Sequence, residues 1–106
     1  MIYRSPKPDI EIPELTLTEY VLGGARDRAD KPAIVDSVTG EVTTYGELAD
    51  RVDSVAAWLQ GQGIAKGDVV ALVGANSAAW AIAYHAILRS GAIVTPMNPL
   101  LTPEEI

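Results

Sequence analysis

Few residues of this chain could take part in chemistry. His85 is the only histidine, and cysteine is absent. A general base needs a hydrogen-bonded partner and a substrate cleft. A metal site needs several ligands, and neither a second histidine nor a thiol is at hand. His85 lies in an apolar segment, one turn from Ala81 and Arg89, and reads as a core or interface histidine hydrogen-bonded to backbone. Asp50 and Asp53 would be an acid–base pair if they faced a cleft. Their neighbours are polar, with Arg51 between them, so they read as a solvated helix face. Glu104 and Glu105 belong to a helix-start signal. Trp58, Trp80 and Tyr84 have the size to line an apolar pocket, and Trp80 and Tyr84 share a helix face at i, i+4. At helical spacing, core packing is the plainer role. Val73-Gly74-Ala75-Asn76-Ser77 joins a strand to a helix, where a phosphate could dock on the helix N-terminus. The dinucleotide fingerprint requires Gly-x-Gly-x-x-Gly, and only Gly74 is present, so a tight turn with a polar cap is favoured. Asn98-Pro99 follows a strand at the end of a sheet where ligands often sit, but it offers no reactive group. No residue is assigned a catalytic, cofactor-binding or metal-binding role.

The elements that must position these residues are legible in caps and periodicity. Residues 1–15 carry Pro6, Pro8 and Pro13 and read as an extended arm across a surface, with Ile10 and Ile12 on one face. Thr16 and Glu19 have capping-box spacing and open a helix with Leu17, Tyr20, Val21 and Gly24 on one face. Arg26 and Arg28 suit its negative pole, and Asp30-Lys31-Pro32 ends it. Ala33–Asp36 and Glu41–Thr44 flank a turn containing Gly40, which predicts a hairpin. Thr44 and Glu47 repeat the capping-box spacing. Leu48, Val52, Val55, Ala56 and Leu59 then form an apolar stripe that stops at Gly61 and Gly63. Val69–Val73 is a continuous apolar strand of the kind covered on both faces of a parallel sheet. Asn76 or Ser77 caps a helix from Ala78 to Arg89 that is apolar nearly all round and therefore mostly buried. Ala92–Thr95 is a second short strand, which completes a βαβ unit. Pro96 and Pro99 should prevent its extension.

Composition sets outer bounds. The chain has 106 residues, 48% hydrophobic and 21% charged, which is globular composition. It has no Phe, two Trp and four Tyr, so small apolar residues must make the core. A net charge of −6 with eight Lys and Arg argues against nucleic acid and anionic membrane as partners. No run is long enough for a membrane span, and the N-terminus lacks a secretory h-region. The expected location is cytoplasmic. Thr102, Pro103 and Glu105 signal another helix start with only Ile106 beyond, which reads as truncation. The expected organisation is an arm over 1–15 and a partial α/β domain over 16–106, cut at its C-terminal end.

Several stretches in order resemble one family. They are Lys31-Pro32-Ala33-Ile34-Val35-Asp36, Thr43-Thr44-Tyr45-Gly46-Glu47-Leu48, and Gly63-Ile64-Ala65-Lys66-Gly67-Asp68-Val69-Val70-Ala71-Leu72. Gly74-Ala75-Asn76-Ser77 and Ser90-Gly91-Ala92-Ile93-Val94-Thr95-Pro96-Met97-Asn98-Pro99 follow, and Leu100–Ile106 fits the same pattern. Together they resemble the N-terminal region of adenylate-forming enzymes, particularly acyl-CoA synthetases of the 4-coumarate-CoA ligase and fatty-acyl-CoA ligase type. The resemblance implies an α/β fold, the start of the large N-terminal domain of such an enzyme. It implies a parent that activates a fatty or aryl carboxylate with ATP, through an acyl-adenylate, and passes it to coenzyme A, with Mg as a further cofactor. The family's phosphate loop ending in Lys, its Tyr-Gly-x-Thr-Glu segment, its ribose-binding Asp and its C-terminal Lys have no match here. Tyr45-Gly46-Glu47 is a partial look-alike at a helix start. The fragment is therefore expected to be inactive, to bind no cofactor itself, and to have the remainder of its parent chain as partner, with self-association possible. Two rivals stay open: a freestanding α/β interaction or regulatory module, and a small nucleotide-binding domain using the 73–77 turn.

Overall fold

A computed structural model describes all 106 residues. It contains α1 (Leu17–Leu22), a single 3-10 turn at Arg26–Arg28, β1 (Pro32–Val35), β2 (Val42–Thr44), α2 (Tyr45–Gly61), β3 (Val69–Val73), α3 (Ala78–Arg89) and β4 (Ile93–Met97). The architecture is mixed α/β. β1 and β2 pair antiparallel as a hairpin, while β3 and β4 pair parallel around α3.

Local chemistry fixes the ends. Thr44 accepts from the Glu47 amide at 3.2 Å, and the Glu47 carboxylate accepts from the Thr44 amide at 2.9 Å, so α2 opens with a complete capping box. Thr16 and Glu19 do the same for α1. Gly40 turns the hairpin at φ +74°, a conformation that side chains disfavour. Gly46 has a different reason. A Cβ there would lie 3.0 Å from the Ala29 Cβ and 3.2 Å from its carbonyl oxygen. That contact lets the Gly46 amide donate to Ala29 at 2.9 Å and pin the 3-10 turn to the start of α2.

The core is the seam between α2 and α3. Leu48, Val52 and Ala56 interlock with Ile82 and Ala86, and Leu22, Ala33, Ile34, Val55 and Leu59 pack around them. The stripe read from sequence thus finds its partner. Alanine at 56 and 86 lets the helices approach closely, as expected of a core without phenylalanine.

Ile10 and Ile12 of the arm are 85% and 84% exposed and line a shallow concavity with Leu17 and Tyr20 of α1. Several expectations are corrected. α1 closes at Leu22, because Gly23-Gly24 follows and glycine is a poor helix former. Its buried residue is Thr18, at 1% exposure, while Leu17, Tyr20 and Val21 face outward. β4 runs through Pro96 to Met97. The Ile93 amide donates to the Asp68 carbonyl, and strand alternation then points Ile93, Thr95 and Met97 toward β3 through their backbone groups. The donorless nitrogen of Pro96 falls on the outer edge, where proline is tolerated. Thr102 and Glu105 form their capping contacts at 2.9 Å and 3.1 Å around a turn, without an α-helix.

Within these residues β3 and β4 keep one apolar face open. α3 covers one face only. Val69, Val73 and Ile93, all on the other face, are 64%, 54% and 54% exposed. The chain exposes 8110 Å² in all, against about 5,700 Å² for a compact chain of its mass. Its radius of gyration is 16.7 Å, against about 13 Å for a compact chain of this length.

Candidate functional site

His85 is the residue nearest to reactive geometry. Its Nδ1 lies 3.0 Å from the Thr18 hydroxyl, so its partner is a side chain on α1 and not backbone. Tyr84 meets the imidazole edge-on, with centroids 5.4 Å apart, and stacks on Trp80 at 5.3 Å. Burial pushes the His85 pKa below its ordinary value and favours the neutral ring. The neutral ring and the Thr18 hydroxyl share one hydrogen bond whose direction is set by the tautomer; with the proton on Nε2, the pair has the form of a base facing a hydroxyl nucleophile. Thr18 is closed to substrate at 1% exposure. The pair therefore ties α1 to α3 and cannot perform transfer chemistry. Trp58 stands apart on α2, 60% exposed, so the three aromatics line no common pocket.

Asp50 and Asp53 do not sit with Arg51. Arg26 Nη1 reaches Asp50 at 2.7 Å and its Nη2 reaches Asp53 at 3.7 Å, while Arg89 holds Asp53 at 3.2 Å. Arg26 thus bridges the 3-10 turn to α2 rather than serving the end of α1. The Asp50 hydrogen bond and charge raise the Arg26 pKa further above its ordinary value. Arg28 donates from its Nε to the Gly24 carbonyl at 3.3 Å, just beyond the end of α1, and lies over the Tyr45 ring at 5.0 Å. These carboxylates are neutralised on an exposed surface and have no free partner for acid–base work.

The parallel ladder brings two turns to one end of the sheet. Val73 pairs with Met97, so Gly74–Ser77 and Asn98-Pro99 emerge together. Ser77 caps α3 by accepting from the Trp80 amide at 3.1 Å. Asn98 folds back to accept from the Leu100 amide at 2.9 Å. The cleft between this turn and the hairpin is lined by Ile34, Asp36, Val38, Asn76, Ser77 and Ala81. Asp36 accepts from the Val38 and Thr39 amides at 2.8 and 2.9 Å, the Thr39 bond foremost in holding its carboxyl below the usual range. A fixed carboxylate and no cation do not fit a nucleotide triphosphate. A Cβ on Gly74 would meet only Trp80 Cδ1, at 3.6 Å, so no close ligand approach requires that glycine. No cluster of three or more His, Asp or Glu is placed to hold a metal ion.

Sequence reasoning missed Thr18, Arg26 and Arg89 as the partners of His85, Asp50 and Asp53. The partners of Thr18 and Arg26 are 67 and 24 residues away. The only local hint was a threonine inside the first turn of a helix whose apolar neighbours point elsewhere.

The family described as AMP-binding enzyme matches residues 23–106. The chain is 41% identical to 4-coumarate–CoA ligase 5 of Oryza sativa subsp. japonica, across 99% of this chain and 20% of that protein. It is 44% identical to a long-chain-fatty-acid–CoA ligase of Salmonella typhimurium, across 86% of this chain and 16% of that protein. Among solved structures, the anthranilate CoA ligase AuaEII in complex with anthranoyl-AMP superposes with a TM-score of 0.79 at 26% identity. That match covers 86% of this chain and 17% of the ligase. The chain thus spans about one fifth of the length of the curated relatives it matches.

Proposed function

The chain belongs to the AMP-binding enzyme family, and on that premise we propose that it is the N-terminal scaffold segment of an ATP-dependent acid–thiol ligase. The whole protein would join a fatty or aryl carboxylate to coenzyme A through an acyl-adenylate, with ATP and Mg, in the cytoplasm. Residues 1–15 form its arm and residues 16–106 the opening part of its large domain. The observation that carries the reading is the match to CoA ligases along nearly the whole chain.

Within that protein, this segment supplies packing. The α2–α3 seam and the Arg26–Asp50–Asp53–Arg89 network stiffen one wall of the domain. The open face of β3 and β4 is where the remainder of the chain would pack. The reacting groups and the residues that hold ATP, Mg and coenzyme A belong to that remainder, and no step is routed through residues 1–106. No helix is long and apolar enough to cross a membrane.

The test is acid-dependent exchange of labelled pyrophosphate into ATP by the full-length protein that carries this segment. Exchange with fatty or aryl acids is expected. A folded full-length protein that exchanges with none of them overturns the reading.

A further inference from the structure

We draw no further inference here: the strongest candidate, the open apolar face of β3 and β4 with the unpaired β3 edge beside it, belongs to the packing surface already given to the remainder of the chain, and nothing in the structure shows what covers it.

Discussion

Thr18 and His85 form a buried polar contact between α1 and α3, and its loss should be felt as loosening of α1. T18V keeps the shape of the side chain and removes the hydroxyl, leaving Nδ1 of His85 without its partner. The expected cost is about 1 kcal/mol, read as a lower denaturant midpoint at unchanged slope. His85 also gives stability a pH dependence. Burial lowers its folded pKa below the ordinary 6.5, so the unfolded chain binds the proton more readily. Stability should therefore be full above about pH 6.5 and fall as pH drops through that value toward the folded pKa. H85Q should flatten that part of the profile. The carboxylates of Glu19 and Glu47 act lower down, because the capping amides of Thr16 and Thr44 depress their pKa values. Their contribution is present above the ordinary carboxylate pKa and lost below it. None of the tertiary pairs was legible in sequence, although both capping boxes of the helices were. A cap is a relation across three residues of one chain segment. The Thr18–His85 bond depends on how two helices dock.

At the scale of elements, α2 came through from sequence because its cap, stripe and stop signal all agree locally. α3 shows what periodicity leaves open. Its nearly uniform apolar character correctly indicates packing on several sides, yet it does not say which neighbour lies where. Trp80 illustrates this. It is half-buried and stacked on Tyr84 beside the β3–α3 turn. Truncating a fully buried Trp costs about 3–5 kcal/mol. For W80A, with the ring partly in solvent, a loss near about 2 kcal/mol is expected, most of it from the stack and the lost apolar contact. Thermal melts of W80A and W80F should separate these, with W80F keeping a large part of the stack. A W80A protein as stable as wild type would show that the ring does not support this end of the sheet. β3 and β4 were located from their apolar runs, and within these 106 residues α3 covers one of their two faces. A strand sequence records the burial for which it is suited, and the chain provides a cover for one face only. Pro96 misled for a related reason: proline stops a ladder only when its nitrogen points into it.

For the whole molecule, the exposed side chains of Val69, Val73 and Ile93 describe a chain with more apolar face than these residues cover. Small side chains make a close seam between α2 and α3, and the sheet is left open beside it. This arrangement agrees with a segment that contributes walls and positions, with its reacting partners supplied by the rest of a larger protein. The family was readable from sequence because many short stretches occur in the same order, though no one of them carries chemistry. The central claim is that these residues are scaffold. Its most direct test is pyrophosphate release by the purified, folded 106-residue chain given ATP, Mg and a panel of fatty and aryl acids. The account predicts no release above the protein-free background with any acid, whereas acid-dependent release by this chain alone would contradict it.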